Sequence, residues 1–584
     1  MPQNAIIKDK TKYQSAKAYY DLLAAGTTKL YYFFGNPVSW ATYPGGSFNE
    51  TNPPIPTDTP LIEKQVWDGI IGLYRVTSAV SKLAFRRVNW TNGQYYDMYR
   101  DDYDGSTVTG VSLVGEYVNT KPLSLSRSNN LVVVDDAGTY RLYRCIDNRS
   151  TTTGYPIAST TKPTFTTSGI NTLADGYKWK YLGTYSTGDI NDYMTTLHSP
   201  IPTTLSTTTI SGGVSAIVMT TRGAGYTSAP TVTVKGNGTG LTLGTPVLSA
   251  GGVAYIPVTA SGTGYTYVEL AISGGGSPTV AATARAIIAP TGGFGANIEK
   301  EIEPNFLLFS VLNSYLTEYH STRGTAPKRY ITGEIAGLVY RTVGLIEDPF
   351  NIGTSTISTA TNLSNFKEVR YQVSSGTTPV FGDRYYTATS GTSNAVLTVV
   401  GERTDTTTTP NKKYLSYLQT TEQRVTTETL NAATSAVSLT KIGGGSIIAF
   451  GPYSTFAAAA VSTGSDTITI NNHGFNTGDS VVFRVDSGTG MNGTPAITSG
   501  STYYIIYVDA NTVRLATTSA NASANIYINI TSIGTSSTQS FTYNGTDAVE
   551  VADVEPYSGN MIYVEYRNAL TRNQSEKQRF VLEF

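Results

Sequence analysis

The stretch at residues 558–584 constrains the fold more than any other part of this chain. Apolar residues occupy every second position from 562 to 566, and again from 580 to 584. Side chains on a strand point to opposite faces in turn, so each run predicts a half-buried strand. The stretch ends on the aromatic residue Phe584, which indicates that this terminus is tied into a sheet. We therefore predict a closing β-hairpin at residues 558–584.

The composition points to the same structural class. Tyr outnumbers Phe by 41 to 18, Gly reaches 57, and Ser and Thr are abundant throughout the sequence. Such a mixture is typical of short strands, many turns and half-buried aromatic positions. We predict a mainly β protein of several domains, since 584 residues exceed the size of one ordinary domain.

Charge and cysteine content exclude several functional classes. Charged residues make up only 14% of the chain and the net charge is −1, which argues against a nucleic-acid surface. The single cysteine, Cys145, allows no intrachain disulfide and no cysteine-based zinc site. The first residues lack the apolar core of a signal peptide, and no apolar run approaches the ~18 residues of a membrane span. We expect assembly in a reducing cytoplasm, without nucleic-acid or membrane partners.

Two helices and three strands are predicted in the first 150 residues. Residues 12–25 predict a helix, and residues 30–34 (LYYFF) predict a strand that Gly35 ends. A second helix should begin with Thr59 as its cap and Pro60 in its first turn. We expect this helix to carry an apolar stripe formed by Ile62, Val66, Ile70 and Leu73. Further on, residues 136–138 should turn a strand pair over 131–146.

An internal repeat begins after the composition shifts to Gly, Thr, Ser and Val near residue 205. The Gly-Gly-Val at 212–214 recurs at 251–253, and the Gly-x-Gly-Tyr-Thr at 223–227 recurs at 262–266. Both offsets are 39 residues (251 − 212 and 262 − 223). We interpret 212–250 and 251–289 as two tandem β modules. Because two copies are few for a free-standing repeat array, they should pack on each other or on the body.

A second β-rich region lies between residues 361 and 549. Alternating strands are predicted within 365–403, and a clearer module covers 466–543, where residues 509–511 should turn a hairpin. This module resembles repeats that decorate phage tail proteins.

A family resemblance accompanies these patterns. The sequence SGNMIYVEYR at the start of the terminal stretch resembles the C-terminal signature of the dimeric baseplate wedge proteins of T-even-type contractile-tailed bacteriophages. The matching residues are Ser558, Gly559, Met561, Ile562, Tyr563, Glu565, Arg567 and Phe584. Asn560 and Tyr566 depart from it, because the family has Glu and Asn at those positions.

Further matches to this family follow in the same order along the chain. They are Phe34, Gly35, Trp40, Arg86, Arg87, Trp90, the segment YRLYRCID at 140–147, Asp175, Gly176, Tyr177, Trp179, Tyr340, Arg341, Ile346 and Pro349. The resemblance divides the chain into body segments at 1–204, 291–360 and 550–584, with the last segment as the hairpin that completes the body. The inserted tandem repeats occupy 205–290, and further inserted β modules occupy 361–549.

The resemblance implies a β-sandwich body, a homodimer, and docking to other baseplate wedge subunits in the tail of a virion. The implied function is structural: holding neighbouring subunits and transmitting the baseplate rearrangement before sheath contraction. We expect no cofactor. Glu565 and Arg567 share a strand face, where they form either a surface ion pair or a buried pair at a subunit contact.

Catalytic and metal-binding patterns are absent from the sequence. The histidines His198, His320 and His473 lack metal-ligand spacing, and His473 is interpreted as a turn residue. The acidic pair at 102 and 104 starts like a calcium loop but lacks the Glu at the twelfth position, so we interpret it as an acidic turn. The glycines Gly236, Gly238 and Gly240 are interpreted as turn residues, because no helix follows them. We expect no enzymatic activity.

Two alternatives from other classes remain open at the level of sequence. The Tyr- and Gly-rich insertions suit a carbohydrate-binding tail adhesin, because exposed aromatic rings can stack on sugars. If the chain is a wedge protein, we still expect that these insertions can contact a surface glycan. A polysaccharide-degrading enzyme would require a pair of carboxylates in a cleft, and no such pair can be assigned. A trimeric fibrous assembly would favour the adhesin, and a compact dimer would favour the wedge subunit.

Overall fold

A computed structural model describes residues 9–43, 46–101, 130–206, 211–312, 339–376, 378–387, 396–405, 410–419, 437–441, 446–449, 453–545, 549–550, 552–571 and 577–584. These residues are mainly β with a few short helices, so the predicted fold class is confirmed. The α-helices are α1 (Asp9–Ala25), α2 (Pro60–Gly69), α3 (Ile298–Ile302) and α4 (Ser519–Ser523).

The strands of the first half of the chain are β1 (Leu30–Gly35), β2 (Ile70–Val76), β3 (Ser81–Arg86), β4 (Leu131–Asp136), β5 (Thr139–Asp147), β6 (Ile170–Thr172), β7 (Lys178–Thr184), β8 (His198–Pro200), β9 (Thr204–Leu205), β10 (Val214–Thr221), β11 (Thr231–Gly236), β12 (Thr239–Leu243), β13 (Val247–Ser249), β14 (Gly252–Tyr255), β15 (Val258–Thr263), β16 (Val268–Ser273) and β17 (Thr283–Ile288).

The strands of the second half are β18 (Phe306–Leu312), β19 (Val339–Glu347), β20 (Asn362–Ser364), β21 (Lys367–Ser375), β22 (Arg384–Thr387), β23 (Val396–Asp405), β24 (Lys412–Gln419), β25 (Val437–Lys441), β26 (Ser446–Ala449), β27 (Tyr453–Phe456), β28 (Val461–Ser462), β29 (Thr467–Thr469), β30 (Ser480–Val485), β31 (Asn492–Thr494), β32 (Thr502–Asp509), β33 (Thr512–Ala516), β34 (Asn529–Ser532), β35 (Gln539–Tyr543), β36 (Val549–Glu550), β37 (Asn560–Thr571) and β38 (Lys577–Glu583).

The chain forms two compact units, each built from separated segments. Unit 1 comprises 1–25, 78–310 and 578–584, and unit 2 comprises 26–77 and 311–577. The segments assigned to the body by resemblance therefore fall into both units. The 205–290 repeats lie in unit 1, and the 361–549 insertion lies in unit 2.

Unit 2 contains a five-stranded antiparallel sheet in the order β20-β2-β1-β19-β37. Strand β1 is buried along its whole length, and Val66 and Trp67 of α2 pack against its core. The α2 helix begins as predicted, since Thr59 Oγ1 accepts a hydrogen bond from Ile62 N at 3.3 Å.

The prediction that Ile70 and Leu73 continue the apolar stripe of this helix is wrong. The helix ends at Gly69, and Ile70 and Leu73 belong to β2 instead. The sequence IIGLYRV is rich in β-branched and aromatic residues, which favour a strand, and its Gly72 disfavours continuation of the helix. Both Ile70 and Leu73 still join the same core as Val66.

The predicted closing hairpin at residues 558–584 is also wrong. Both segments are strands, but they belong to different sheets: β37 pairs with β19, and β38 is hydrogen-bonded to β18. Each partner strand lies within residues 291–360, the segment that the resemblance assigns to the body. Alternation predicted the strands correctly but carries no information about which edge each strand joins.

The two ends of the 361–549 insertion are tied together beside the five-stranded sheet. Asp553 Oδ2 accepts hydrogen bonds from Ser364 N at 3.0 Å and from Ser364 Oγ at 2.7 Å. The backbone N–H of Asp553 in turn donates to Ser364 O at 2.9 Å. We call these three hydrogen bonds the Ser364–Asp553 clasp. Because the clasp holds the two ends of residues 361–549 next to each other, β19 and β37 can pair.

The insertion itself contains two seven-stranded sheets. The first has the order β24-β23-β22-β25-β26-β21-β36, and the second has the order β27-β35-β30-β32-β33-β29-β28. The second sheet starts at Tyr453, so the module predicted over 466–543 is longer at its N-terminal end. The hairpin between β32 and β33 turns at 509–511 as predicted.

A buried ionic group joins these two sheets. The guanidinium of Arg370 in β21 lies 2.5 Å from Asp479 Oδ2, and Lys412 Nζ in β24 lies 2.9 Å from the other oxygen of Asp479. Arg370 and Asp479 are both almost completely buried. Loss of one partner from such a group leaves an uncompensated buried charge, which costs roughly 3–5 kcal/mol.

Unit 1 contains two sheets that share an apolar core. One has the order β38-β18-β3-β8, and the other has the order β4-β5-β7-β6, with β9 paired to β7. Phe85 of β3 packs with Leu131 of β4, Leu142 of β5 and Ile298 of α3. Two sheets packed over one core form the layered arrangement of a sandwich. The β4–β5 hairpin turns at 136–138 as predicted, with positive φ at Ala137 and Gly138.

The Gly-rich repeats form one module rather than two. The pairs are β10–β17, β11–β16, β12–β15 and β13–β14, so every ladder joins a strand of the first copy to a strand of the second. All eight strands contribute to one core around Ile217, Ile256 and the tyrosines Tyr226 and Tyr265. A copy of about 39 residues with short strands cannot bury a core alone, which explains why the copies pack on each other.

The repeated motifs exchange equivalent contacts across this module. Tyr226 N donates to Gly251 O at 2.9 Å, and Tyr265 N donates to Gly212 O at 3.0 Å, so each tyrosine binds the Gly-Gly-Val segment of the other copy. A β-carbon at Gly262 would lie 2.5 Å from Thr239 O. The duplicated Gly-x-Gly-Tyr-Thr motif therefore specifies a close cross-copy approach.

The module is anchored on the five-stranded sheet of unit 1. Arg149 forms a buried bidentate pair with Asp147, and its Nη1 donates to Ile217 O of the module at 2.7 Å. Tyr255 of the module donates to Asp147 Oδ2 at 3.2 Å. The partly buried side chains of Met98 and Tyr99 also pack against Ala216 and Val218 of the module.

We predict that Gly262→Ala destabilises unit 1 far more than Gly138→Ala. Both glycines have positive φ, at 61° and 87°, so both substitutions carry a similar backbone strain of roughly 1–2 kcal/mol. A β-carbon at Gly138 meets nothing within 4 Å, whereas one at Gly262 overlaps backbone atoms of β12. Differential scanning calorimetry of the two full-length variants should show the larger loss for Gly262→Ala. Equal losses would contradict the cross-copy approach.

Candidate functional site

The N-terminal and C-terminal parts of the family signature meet in unit 2. Trp40 is 1% exposed, and its Nε1 donates to Arg567 O at 2.6 Å, across 527 positions of sequence. The indole also packs against Tyr566, with ring centroids 4.9 Å apart. Gly35 lies immediately before this loop at a bulge of β1, where a β-carbon would lie 2.4 Å from Gly69 O.

An ion pair fixes the loop that carries Trp40. Arg341 Nε of β19 donates to Glu50 Oε1 at 2.9 Å, and Arg341 Nη1 donates to Pro37 O at 2.8 Å. Glu50 Oε2 accepts from Ala569 N of β37 at 3.1 Å. Partial burial raises the pKa of Glu50, but the hydrogen bond and charge of Arg341 outweigh it and hold that pKa below its usual value. Loop, β19 and β37 are thereby connected through one carboxylate.

A cavity of about 190 Å³ lies beside this contact. Its aromatic walls come from Trp40, Tyr43 and Tyr566, and its far wall from Thr398 and Leu418 of the inserted sheet. Burial, followed by the hydrogen bond that Tyr566 shares with Tyr43, raises the pKa of Tyr566 above its ordinary value, so this phenol stays neutral. Tyr566 is one of the two departures from the family signature, and here it contributes packing.

Ser558 and Gly559 form the turn that leads into β37. Ser558 Oγ donates to Glu555 O at 2.6 Å and accepts from Phe350 N at 2.9 Å. Gly559 has a φ of 74°, and a β-carbon there would lie 2.3 Å from Glu347 O. In the Ser-Gly pair of the signature, Ser558 therefore acts through its hydroxyl, and Gly559 is required by backbone geometry.

Tyr563, Glu565 and Arg567 occupy one face of β37. Tyr563 Oη donates to Glu565 Oε2 at 3.0 Å, and Arg567 Nε lies 3.4 Å from Glu565 Oε1. Burial and then the Glu565 charge raise the pKa of Tyr563 to about 12. The Glu565 and Arg567 side chains are 39% and 24% exposed, so within this chain they form a surface pair worth ~0–1 kcal/mol.

The unit 1 part of the signature is a structural cluster. Tyr177 stacks on Trp179 with centroids 5.4 Å apart, and its hydroxyl donates to Ile157 O at 2.7 Å. Asp175 Oδ2 accepts from Thr160 N and Thr161 N, both at 2.9 Å, while Gly176 continues the turn into β7. These residues hold a loop against the β4–β7 sheet.

Of the remaining signature residues, Arg86 ends β3, and Arg87 and Trp90 follow it. Arg86 is exposed, whereas Arg87 donates to Thr195 O at 2.9 Å and lies over the Tyr140 ring. Trp90 Nε1 donates to Ser159 Oγ at 3.1 Å, and the same hydroxyl donates to Asp175 Oδ2 at 3.2 Å. Trp90 thus belongs to the Asp175 cluster.

Each unit therefore brings together its own part of the signature. Sequence reasoning missed Tyr43 and Glu50, which complete the Trp40 site. Glu50 lies in a Pro- and Asn-rich connection, and only its contacts with Arg341 and Ala569 reveal its role.

The candidate catalytic and metal-binding residues stay apart in the described residues. No group of three or more His, Cys, Asp or Glu side chains there could hold a metal ion. His473 lies just after a turn and is buried: its Nδ1 accepts from Phe475 N at 2.9 Å, and its Nε2 bonds Asp509 O at 2.8 Å. His320 and the acidic pair at 102 and 104 lie outside the described residues. The three predicted turn glycines surround the β11–β12 connection.

Comparison with known proteins adds no identification. No protein-family model matches the chain, and the search of curated proteins finds no significant match. Within the described residues, every helix is too short or too polar to cross a bilayer.

We predict that Trp40→Phe destabilises β37 while keeping its aromatic packing. The substitution leaves Arg567 O without its indole donor, which costs roughly 1–3 kcal/mol for a buried acceptor. Hydrogen exchange should become faster across 560–571. Trp90→Phe is the matched control, because it removes an indole hydrogen bond in unit 1 and should leave exchange in β37 unchanged. Equal effects of the two variants would refute this assignment.

We also predict that acid destabilises the 453–543 module through His473. Burial lowers the pKa of His473 below its free value of 6.5, so the unfolded chain takes up the proton first. The stabilisation is therefore complete above about pH 6.5 and declines as the pH falls toward the folded pKa. Calorimetry at pH 7.5 and 5.5 should show a smaller shift in melting temperature for His473→Gln than for the unmodified chain. Burial also lowers the pKa of His198, but this residue is present in both the variant and the unmodified chain, so its effect cancels in the comparison.

Proposed function

We propose that this protein is a structural subunit of the baseplate wedge of a contractile phage tail. It would form a homodimer, hold neighbouring wedge subunits, and transmit the baseplate rearrangement that precedes sheath contraction. The function requires no catalysis and no cofactor.

One observation carries this proposal. The two most distant parts of the family signature meet at one five-stranded sheet: Trp40, in the loop that follows Gly35 of β1, contacts Tyr566 and Arg567 of β37. Arg341, a further match to the family, ties the Trp40 loop to that sheet through Glu50. Residues that match the family in sequence thus contact each other in space, although long insertions separate them.

The construction of unit 2 suits a part that bears mechanical load. The Trp40 loop, β19 and β37 are cross-linked by the indole hydrogen bond, by an ion pair in which Arg341 Nε lies between both oxygens of Glu50, and by a backbone-to-carboxylate hydrogen bond. Charged hydrogen bonds of this kind restrict relative movement of the elements they join. The low charge content and many tyrosines also suit large, lasting subunit contacts.

We predict that the full chain is a homodimer and that the dimer survives loss of the large insertion. The shortened chain joins Phe366 to Ala552 through a Gly/Ser linker, which keeps the Ser364–Asp553 clasp. Obligate dimers bury roughly 2,000 Å² or more, so the dimer should persist at micromolar concentration. Multi-angle light scattering of both chains is the measurement.

The possible outcomes separate the candidate functions. A dimer in both cases supports a contact through the body. A monomer of the full chain contradicts the proposal, and a dimer that becomes monomeric on shortening moves the contact to the insertion. A stable trimer would instead favour the tail adhesin.

A further inference from the structure

A second cavity, of about 310 Å³, lies in unit 1 where the repeat module meets the β4–β7 sheet domain. Its walls include the end of β10, the Gly223–Ala224 backbone and Ser249 of the module, with Tyr155 from the other side. Its mouth is open to solvent, since Thr220, Thr221, Ala250 and Val280 are exposed. The volume is at the lower end of the range for small-molecule sites, of roughly 300–1,000 Å³.

Arg222 is the only charged residue among the described residues that line this cavity. Its guanidinium lies 3.7 Å from the centroid of the Tyr155 ring and donates to Thr153 O. No carboxylate within the described chain lies in ion-pair distance of Arg222. The cation is therefore held in one position and keeps donors for a further partner, since a guanidinium has five N–H groups.

The internal repeat shows that this cation is particular to one copy. With the 39-residue offset, Arg222 corresponds to Ser261 in the second copy. The surrounding Gly-Gly-Val and Gly-x-Gly-Tyr-Thr motifs are the same in both copies. The module therefore folds with a neutral residue at this position, and the arginine occurs only in the copy whose cavity faces Tyr155.

The lining defines the chemistry of a ligand. One guanidinium matches one planar carboxylate in a bidentate arrangement. The hydroxyls of Thr220, Thr221 and Ser249 can exchange hydrogen bonds with ligand hydroxyls. A phosphate would favour several converging cations or N–H groups, whereas this cavity offers a single cation. We propose that the cavity binds the carboxylate-bearing sugar residue of an acidic glycan.

Saturation-transfer NMR on the full chain tests this proposal with D-glucuronate as the probe. D-glucose tests the need for the carboxylate, acetate tests the need for the sugar ring, and inorganic phosphate tests other anions. We expect glucuronate to bind at least about tenfold more tightly than each of the other three. Arg222→Gln should abolish the glucuronate signal, whereas Arg285→Gln, on the exposed face of β17, should leave it unchanged.

Two variants that differ from each other only in charge separate an effect on binding from an effect on folding. Ala250 lies at the exposed mouth, so Ala250→Glu and Ala250→Gln differ in charge but hardly in size. Ala250→Glu should weaken glucuronate binding at least about tenfold relative to Ala250→Gln. Equal binding by these two variants, or binding of glucose, acetate or phosphate as tight as that of glucuronate, would overturn the proposal. This site goes beyond the wedge function, and the dimer measurement does not depend on it.

Discussion

The clasp between Ser364 and Asp553 is the constraint on which unit 2 depends. Three hydrogen bonds of 2.7–3.0 Å join the start and the end of an insertion of almost two hundred residues. Neighbouring strands lie only about 4.8 Å apart, so β37 can pair with β19 only if the insertion returns to where it began. The entropy of closing such a loop grows slowly with its length, which makes a large insertion tolerable once its base is fixed.

The same principle operates in unit 1. Gly292 N donates to Ser211 Oγ at 2.9 Å, and Ala289 N donates to Gly213 O at 2.7 Å, so the repeat module also begins and ends at one place. Within the module, the antiparallel pairing of the two copies returns the chain to its start. Duplication therefore provides both a shared core and a closed base.

Local structure followed from the sequence where one residue type determines the backbone. The Thr59 cap, the turns at 136–138 and 509–511, and several strands, among them those at 30–34 and 131–146, were predicted from local residue patterns. The α2 stripe failed because apolar residues spaced for a helix continue into β2, where β-branched residues favour the extended chain and Gly72 disfavours a helix. Buried strands and buried helix ends look alike in such a run.

Long-range pairing did not follow from the sequence. The alternation in β37 fixes its two faces but not its partner β19, and the 39-residue repeat fixes two copies but not their interleaving. Glu50 was missed because a lone acidic residue in a polar loop has no pattern, and its role depends on Arg341, 291 positions away. The resemblance singled out Gly35, Trp40, Arg341 and Arg567, whereas Tyr43 and Glu50 emerge only from the contacts in the structure.

Image reconstruction of intact tailed particles from cells that make this protein tests the central proposal most directly. The proposal predicts paired copies of the chain within the baseplate, with both units in density and contacts from neighbouring subunits on the body segments. Trimers at the distal end of a fibre, or particles whose baseplate lacks the chain, would contradict it.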